Sequence, residues 1–386
     1  MEERQVRYCN NTVSAGPPRR GRKEALEDRE MEKRIEFLRE LTTVPGLPGY
    51  EREVKALLRR HLEPVSDVSQ DNLGSVIGKK KGRSERPRVM LAAHMDEIGF
   101  MVTGIDKDGF LRFQTLGGWW EQVMLAQRVS VITSKCSIPG IIGSKPPHIL
   151  PAEDRKKMFE KKDMFIDIGA SGHDEAVAWG VRPGDPIVPD TRFVQMKNSD
   201  LLMAKAWDDR VGCALVVDVL CVLAGLDHPN TVYGVGTVQE EVGLRGAVTS
   251  ANAIEPDVAF ALEAGIAGDT PGVKEYEAQG RIGKGPVLLV YDSSMIPNTR
   301  LRDLAVEVAE SAGIPYQFDS MAAGGTDAGR IQMQGRGVPA LVIGVPTRYV
   351  HSHTGIISLK DYALTLDLLV RLVMALDEKR VASLVD

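Results

Sequence analysis

The sequence is poor in cysteine and in aromatic residues, and neither sign of charge dominates it. Its 386 residues include four cysteines with no CxxC spacing, which excludes a disulfide framework and a zinc knuckle and agrees with a reducing compartment. Lysine and arginine number 48 against 53 aspartates and glutamates, a net charge of −5, so no nucleic-acid partner is expected. No apolar run reaches the roughly 18 residues of a transmembrane helix, and residues 1–30 lack a signal-peptide core. We therefore expect a cytoplasmic location and no membrane partner.

The length of 386 residues predicts more than one domain. Changes in composition and in the pattern of apolar residues along the chain indicate where the domains are divided. Residues 1–30 are rich in charge and are expected to form a mobile N-terminal extension. Residues 103–198 contain short β-rich segments separated by glycine and proline turns, a pattern typical of a small β-barrel or sandwich. Residues 31–102 and 199–386 are expected to form two parts of one α/β domain, which this β-rich segment interrupts.

Helical and strand patterns alternate on both sides of the predicted insertion. Two amphipathic helices are predicted from Met31 onward, on either side of the break "PGLPGY", and the apolar run "RVMLAAHMDEIGFMV" is expected to be a buried strand. After Asp200 the predicted helix "DDRVGCALVVDVLCVLAG" precedes the strands "TVYGVGTVQEE", "PDVAFALEAG" and "PALVIGVPT", with helices between them. This alternation predicts a mostly parallel sheet with helices on both faces.

Acidic residues and histidines stand where these predicted strands end, which is where open α/β sheets bind their ligands. The candidates are His94 and Asp96, Asp208, Glu240 and Glu241, Glu263, and His351. Some also have structural explanations: His94 with Asp96 can be a capped strand end, and Asp208 with Asp209 can cap the helix that follows them. The adjacent acids Glu240 and Glu241 are costly at the exit of a buried strand unless a cation compensates them, so there we favour a functional role.

Together, two histidines and three carboxylates without a thiolate are a donor set for a pair of divalent ions such as zinc, cobalt or manganese. One aspartate can bridge two ions about 3.5–4 Å apart, a spacing that lets them clamp the attacking and leaving oxygens of a hydrolysis. Of two neighbouring acids, one can ligate while the other transfers protons. This donor set predicts a metal-dependent hydrolase of amides or esters.

The motifs that contain these residues resemble those of the M42 family of metallo-aminopeptidases, from about Met31 to the C-terminus. The matching segments, in the order and spacing of the family, are "AHMDEIGFMV", "KAWDDRVGCA", "TVQEEVGLRGA", "AGDTPG", "GGTDAG" and "RYVHSHTG". The resemblance implies an α/β fold with a phosphorylase/hydrolase-like mixed sheet and helices on both faces, interrupted by a small PDZ-like β-barrel domain used for dimerisation. It also implies a homo-oligomer of dimer units, up to the twelve-subunit particles that family members form.

The resemblance further implies a role for each candidate residue. The two implied ligand sets, which share a bridging aspartate, are His94, Asp208 and Glu263, and Asp208, Glu241 and His351. Glu240 would be the general base that deprotonates the bridging water, and Asp96 would orient His94. At position 263 many family members carry aspartate, but the glutamate of this chain is still expected to ligate.

The function predicted from these residues is a two-metal aminopeptidase that removes N-terminal residues from peptides, with a metal-bridged hydroxide and Glu240 as general base. The expected ions are Zn²⁺ or Co²⁺, with Mn²⁺ as a further candidate, and Gly324–Gly329 is expected beside the peptide substrate. The alternatives are a related metal-dependent deacylase or carboxypeptidase, an endoglucanase, and a non-catalytic peptide-binding protein. An aromatic content of 5% is low for a cleft that stacks on sugars, and the complete set of candidate ligands argues against a non-catalytic protein.

Overall fold

The computed structural model describes residues 22–385. Backbone contacts divide the chain into a unit from Met1 to Phe37 and a compact unit from Leu38 to Asp386. The predicted N-terminal extension lies outside the described residues as far as residue 21, and helix α1 (Arg22–Thr43) begins earlier than the helix predicted from Met31. Among residues 22–385, no helix combines the length and the apolar character needed to cross a membrane.

Helices and strands follow the alternation predicted after residue 200. The further helices are α2 (Arg52–Leu62), α3 (His173–Ala178), α4 (Trp207–Leu223), α5 (Arg245–Ile254), α6 (Thr299–Ala312), α7 (Asp327–Ile331), α8 (Leu359–Ala375) and α9 (Glu378–Ala382). The strands are β1 (Asp67–Gln70), β2 (Val76–Lys81), β3 (Arg88–His94), β4 (Gly99–Ile105), β5 (Leu111–Leu116), β6 (Arg128–Ile132), β7 (Ser137–Gly143), β8 (Phe165–Asp167), β9 (Pro186–Pro189), β10 (Val194–Gln195), β11 (Leu201–Ala204), β12 (Thr231–Thr237), β13 (Val258–Ile266), β14 (Val287–Tyr291), β15 (Gln317–Ser320), β16 (Ala340–Thr347) and β17 (Gly355–Ser358).

A mixed sheet forms the core of the compact unit, in the strand order β1-β2-β12-β3-β13-β16-β14-β15. Its central strands β12, β3, β13 and β16 are parallel, whereas the flanking strands β2 and β14 run antiparallel to their central neighbours. The central strands are mostly apolar and buried along most of their length, as expected where both faces of a sheet are covered. Because these four strands point the same way, their carboxyl ends meet at one edge of the sheet.

Helices cover both faces of this sheet. On one face Met90 of β3 belongs to an apolar cluster with Ala247 of α5 and Ile331 of α7. On the other face β12 approaches α4 so closely that a Cβ at Gly234 would lie 2.8 Å from the Val216 side chain. Successive residues of a strand point to opposite faces, so each central strand contributes to both layers of the core.

A closed barrel of the strands β4-β5-β8-β7-β6-β9 interrupts this sheet in the sequence. Its interior is apolar: Phe100 meets Phe113 edge-on with 5.2 Å between ring centroids and stacks on Trp119 at 4.7 Å. Aromatic pairs of this geometry add to the stability gained from burial alone. The predicted fold class, a mixed α/β sheet with helices on both faces and a small inserted β-barrel, is confirmed.

The barrel lies earlier in the chain than the sequence pattern indicated. The run "RVMLAAHMDEIGFMV", predicted as one strand, forms two, because β3 ends at His94 and β4 begins at Gly99. The barrel strands thus begin before the predicted boundary at residue 103 and end at Pro189, before the predicted boundary at residue 198. Apolar composition does not show where a chain leaves one sheet for another, since both strands are buried. The division into domains stays a prediction.

Candidate metal centre

The predicted ligands and the predicted base lie together at the carboxyl edge of the parallel strands. The structure places them at His94 at the end of β3, Asp208 at the start of α4, Glu240 and Glu241 after β12, Glu263 in β13, and His351 after β16. Because β3, β12, β13 and β16 are parallel neighbours, residues that are far apart in sequence meet at this edge.

Both histidines present Nε2 to the same aspartate. His94 Nε2 lies 3.0 Å from Asp208 Oδ1, and His351 Nε2 lies 3.3 Å from Asp208 Oδ2. The other ring nitrogen donates to a backbone carbonyl, from His94 Nδ1 to Asp96 O at 2.9 Å and from His351 Nδ1 to Gly118 O at 2.7 Å. These hydrogen bonds fix each ring with Nε2 toward the carboxylates, the orientation of a metal-binding imidazole with its outer partner.

Three glutamate side chains complete the cluster. Glu241 Oε1 lies 3.5 Å from His351 Nε2, while Glu240 Oε2 and Glu263 Oε2 each lie 3.9 Å from His94 Nε2. Glu241 Oε1 and Glu263 Oε1 are buried and accept no hydrogen bond within the described part of the chain. Buried carboxylate oxygens without a donor are costly unless a cation compensates them, so these orphaned atoms indicate a cation site.

The carboxylate of Asp96 holds the turn that carries the adjacent glutamates. Its Oδ1 accepts a hydrogen bond from the backbone N–H of Glu240 and its Oδ2 accepts one from that of Glu241, each at 3.0 Å. The carboxylate lies 3.7 Å from His94 Nδ1, beyond hydrogen-bond distance. Asp96 thus contacts His94 through its backbone carbonyl, and its predicted role in orienting that ring stays a prediction.

The electrostatics are those of a site that is short of positive charge. Burial raises the pKa of Glu240 and of Glu263 well above the usual value and, together with the Asp208 charge, raises the pKa of Glu241 to about 7. Burial also works to raise the pKa of Asp208, but hydrogen bonds from the two histidines outweigh it and hold that pKa below its usual value. Burial works to lower the pKa of His351, but the hydrogen bond to Asp208 raises it to about 9. A divalent cation would compensate such a set.

Two groups of side chains have the spacing of metal ligands. Within each group, one donor atom per residue lies within 4.8 Å of the others: His94, Asp208 and Glu241 form one group, and His94, Asp209 and Glu263 form the other. Imidazole and carboxylate donors without a thiolate suit zinc, cobalt and manganese. The residues present therefore fit a divalent-cation site. The two groups differ from the ligand sets implied by the sequence, because His351 belongs to neither and Glu263 is grouped with Asp209 and not with Asp208, so those ligand sets stay a prediction.

Asp209 has a structural role that the predicted capping of α4 covers only in part. It is fully buried, its Oδ2 accepts from the backbone N–H of His94 at 3.1 Å, and its Oδ1 accepts from that of Gly212 at 3.1 Å. The carboxylate therefore connects the end of β3 to the first turn of α4. The acidic pair in "WDDR" indicated the cap, but the sequence does not show that Asp208 faces the two histidine side chains while Asp209 accepts from the backbone of His94.

Gly118 is a second residue that sequence reasoning missed. It lies in the barrel segment after β5, and its carbonyl accepts the hydrogen bond from His351. A Cβ at this position would lie 2.9 Å from His351 Nδ1, closer than real Cβ atoms approach, so glycine is needed for the imidazole to reach the carbonyl. The glycine pair in "GGWW" could have marked such a close approach, but nothing in the sequence connects it to His351.

The segment Gly324–Gly329, predicted to lie beside the substrate, borders a cavity next to the cluster. The cavity has a volume of about 660 Å³ with the space at its open mouth included, opens onto four of the cluster side chains and has Gly325 and Thr326 in its wall. Asp327 is buried behind this wall and accepts a hydrogen bond from Thr237 Oγ1 at 2.5 Å. The cavity is a concave, partly apolar space beside polar groups, as small-molecule sites usually are.

The fold and the donor set together define an α/β protein with a divalent-cation site of the kind found in metal-dependent hydrolases. Comparison with known proteins is more specific. The family model described as M42 glutamyl aminopeptidase matches residues 74–368. The putative aminopeptidase FrvX of Escherichia coli K12 is 42% identical over 338 residues, which cover 87% of this chain and 93% of that protein. The chain belongs to the M42 peptidase family.

Two further relatives carry names that state a side-chain preference. Glutamyl aminopeptidase of Lactococcus lactis subsp. cremoris is 35% identical over 348 residues, covering 89% of this chain and 97% of that protein. Lysyl aminopeptidase of Pyrococcus furiosus is 36% identical over 342 residues, covering 86% and 94%. The protein is therefore a peptide hydrolase of the aminopeptidase type, which confirms the predicted enzyme class, and its family is metal-dependent.

Solved structures agree with this assignment. A TET aminopeptidase from the marine sediment archaeon Thaumarchaeota archaeon SCGC AB-539-E09 superposes with a TM-score of 0.90 at 50% identity, covering 92% of this chain and 99% of that chain. The TET1 peptidase of Pyrococcus horikoshii, which can assemble into a tetrahedron or a large octahedral shell, superposes with a TM-score of 0.81 at 32% identity, covering 89% and 100%.

Proposed function

We propose that the protein removes N-terminal residues from peptides with a two-metal site. The position of Asp208 carries this proposal, because its two carboxylate oxygens face the Nε2 atoms of His94 and His351 at 3.0 and 3.3 Å. A carboxylate between two imidazoles has the geometry of a bridge between two cations. The proposed ligand sets are His94, Asp208 and Glu263 for one ion, and Asp208, Glu241 and His351 for the other.

Zn²⁺ and Co²⁺ are the proposed ions, with Mn²⁺ as a third candidate, since imidazole and carboxylate donors suit all three. A bound pair of such ions would lower the pKa of a coordinated water and would polarise the scissile carbonyl. The chain itself supplies the groups that move protons and hold the substrate.

Glu240 is the proposed general base. Its side chain is 9% exposed, and its Oε2 lies 3.9 Å from His94 Nε2, so it lies beside the ligands without a hydrogen bond to the ring. It takes a proton from the attacking water and returns it to the leaving amine. Asp96 accepts the hydrogen bond from the backbone N–H of Glu240, and we therefore place Asp96 as a positioning residue for the base.

A carboxylate at the mouth of the cavity supports cleavage at a free amino terminus. Asp208, Glu240 and Glu263 border the cavity beside the proposed centre, and the bound ions would compensate the charge of the proposed ligands Asp208 and Glu263. Glu240 keeps its negative charge, which attracts a cation such as the terminal ammonium group of a peptide. An N-acetylated peptide lacks that charge, so a blocked substrate is expected to bind poorly.

A substrate panel tests the proposed function. Aminoacyl-p-nitroanilides are compared with their N-acetylated counterparts and with carboxymethylcellulose, each with added cobalt, with added zinc, and after chelation. We expect metal-dependent release that requires a free amino group. Activity only on blocked substrates would favour the deacylase or carboxypeptidase alternative, and activity on cellulose the endoglucanase alternative. Stoichiometric metal without any hydrolysis would favour a peptide-binding protein.

The substitution Glu240→Gln tests the role of the base. It preserves shape but removes the proton acceptor, so kcat should fall by about 10²–10⁴-fold while bound metal, measured by elemental analysis, is retained. Glu241→Gln is the matched control at the neighbouring position, and it should lower metal content because Glu241 is a proposed ligand. A Glu240→Gln variant with wild-type kcat would show that another residue is the general base.

The assembly and the barrel take their proposed roles from the relatives. Because the TET1 peptidase of Pyrococcus horikoshii can assemble into a tetrahedron or a large octahedral shell, we propose that this protein is also a homo-oligomer. The family resemblance of the motifs adds that dimers are its unit and that the inserted barrel is the dimerisation module. Peptides are the proposed substrates. The cytoplasmic location stays a prediction.

A further inference from the structure

The cavity beside the proposed metal centre is bordered by strands β13, β14 and β16. It has a volume of about 660 Å³ and opens at one end onto Glu240 and Glu263. Its apolar wall is formed mainly by Ile266, Val287, Leu289, Met321, Val342 and Val350. An apolar side chain that extends from the centre would therefore exchange water for hydrocarbon contact along this wall.

Asp319 is the one charged residue in this wall that does not belong to the metal-centre cluster, among lining residues that are all in the described part of the chain. It lies on β15 and is 4% exposed. Its Oδ1 accepts hydrogen bonds from the backbone N–H groups of Gln279 at 3.1 Å and Ser320 at 2.8 Å. The carboxylate is thus held in a fixed place, and burial raises its pKa, because water is largely withheld from its charge.

We propose that this cavity receives the side chain of the N-terminal substrate residue and that Asp319 makes it select a long basic side chain, lysine or arginine. The inference rests on the proposed function, since it uses Glu240 and Glu263 to place the scissile bond at the cavity mouth. The methylene groups of such a side chain pack along the apolar wall while its charged end reaches the carboxylate.

The same wall disfavours the other side-chain classes. An acidic side chain would place a second carboxylate beside Asp319 in this apolar wall, and neither lysine nor arginine lines the cavity to compensate it. An aliphatic side chain packs against the apolar wall but leaves the buried carboxylate of Asp319 without a cation. The relatives named for glutamyl and for lysyl preference are 35% and 36% identical, so overall similarity does not decide between them, whereas the residues of this cavity do.

Three p-nitroanilides test the selection on the wild-type, metal-loaded enzyme. Lysine and norleucine share a four-carbon chain and differ in the terminal ammonium group, and glutamate is the acidic comparison. We expect kcat/KM for the lysyl substrate to exceed that for the norleucyl substrate by about tenfold or more, the effect of one charged hydrogen bond, and the glutamyl substrate to be poorest. Norleucyl equal to or above lysyl, or glutamyl above both, would overturn the inference.

A pair of variants assigns the selection to Asp319. Asp319→Asn keeps the oxygen that accepts the two backbone hydrogen bonds but removes the charge, so the lysyl-to-norleucyl ratio of kcat/KM should fall about tenfold. Asp361→Asn is the control at a buried carboxylate that does not line the cavity; Asp361 accepts from the backbone of Gly283 through Oδ2 and of Gly285 through Oδ1, so its amide perturbs the local backbone at least as much as Asp319→Asn does. A ratio that is unchanged in Asp319→Asn, or that falls equally in Asp361→Asn, would contradict the role of Asp319.

A binding measurement keeps the inference independent of catalysis and of the folding of the variants. Lysinol, which has no hydrolysable bond, should raise the thermal unfolding temperature of the metal-loaded wild type more than norleucinol does, because only a ligand that binds the folded state stabilises it. If no substrate is hydrolysed but lysinol stabilises selectively, the proposed function fails and the basic pocket stands. If hydrolysis occurs but both amino alcohols stabilise equally, the aminopeptidase stands and the basic pocket fails.

Discussion

At the scale of single residues, the proposed metal centre consists of buried carboxylates that have too little positive charge around them. Glu240, Glu241 and Glu263 all have raised pKa values because burial withholds water from them. The charged form of such groups becomes favourable only when a cation is near. The cluster is therefore poised to exchange bound protons for a metal ion.

We predict that binding of Zn²⁺ or Co²⁺ releases protons from this cluster. His351, with its pKa raised to about 9, and Glu241, with its pKa raised to about 7, carry protons near neutral pH, and ligation requires the deprotonated forms. Apparent metal affinity should therefore rise as the pH rises toward these pKa values. Calorimetric titration in two buffers of different ionisation enthalpy measures the release. Equal heats in both buffers, or an affinity that falls with rising pH, would contradict this prediction.

Asp96 allows two roles to be separated by one substitution. In Asp96→Asn an amide NH₂ group replaces one of the two oxygens that accept from the backbone of Glu240 and Glu241, which leaves a buried N–H without an acceptor. The turn carries the proposed base and also the proposed ligand Glu241, so we expect a lower kcat at saturating metal together with a loss of metal affinity below tenfold. A role in orienting His94 would instead weaken metal binding by about 10–100-fold, and metal titration followed by kinetics distinguishes the two.

At the scale of elements, a network of buried charged side chains connects the loop after α1 to the segment after β3 and to α4, both of which border the proposed metal centre. Glu97 follows β3, and both of its carboxylate oxygens lie 2.6 Å from Lys205 Nζ. Arg210 of α4 lies 3.3 Å from Glu97 and donates to the carbonyl of Met95 at 2.8 Å and to that of Val44 at 3.0 Å. These side chains are almost completely buried, so the network holds only while each charge keeps its partner.

We predict that Glu97→Gln lowers the free energy of unfolding by about 3–5 kcal/mol, because it leaves two buried cations without their carboxylate. The matched control is Glu307→Gln, which removes the exposed pair with Arg380 and should cost less than about 1 kcal/mol. Chemical denaturation of both variants at the same metal loading measures the difference. A Glu97→Gln variant as stable as the control would show that the network contributes nothing to stability.

At the scale of the compact unit from Leu38 to Asp386, the barrel and the sheet contribute to one site. Gly118, in the barrel segment, accepts the hydrogen bond that orients His351 after β16. A displacement of the Gly118 carbonyl in the barrel would therefore change the orientation of His351, a proposed metal ligand. If the barrel also mediates dimerisation, assembly and the geometry of the centre are physically connected.

We predict that the protein is an oligomer in solution. Light scattering coupled to size exclusion should give a mass that is a multiple of 42.2 kDa, with an even number of subunits if dimers are the unit of assembly. Substitution of an exposed apolar residue on the barrel, Ile141→Glu, should lower this mass if the barrel is the interface. The matched exposed position outside the barrel is Ile296→Glu. A monomeric wild type would contradict the proposed assembly.

Much of the fold and the composition of the centre could be predicted from local patterns. Apolar runs and amphipathic periods marked the parallel strands and α4, α5 and α6, because burial on two faces or on one leaves a direct trace in the sequence. The candidate ligands could be predicted because acids and histidines stand directly after the apolar runs, and that position is also a local feature of the sequence. The barrel boundaries could not be placed, because β3 and β4 form one apolar run in the sequence although they belong to different sheets.

The sequence by itself determined the class of chemistry, because the ligand types at the ends of predicted strands are local features. Only the tertiary structure decided which partners these side chains have: Gly118 beside His351, Asp209 on the backbone of His94, and Asp319 in the cavity wall. These contacts join segments that are distant along the chain, and local periodicity records which way a side chain faces but not which loop it meets. The side-chain preference that we infer depends on such a contact, and it became visible only when the fold brought Asp319 of β15 to the cavity beside Glu263.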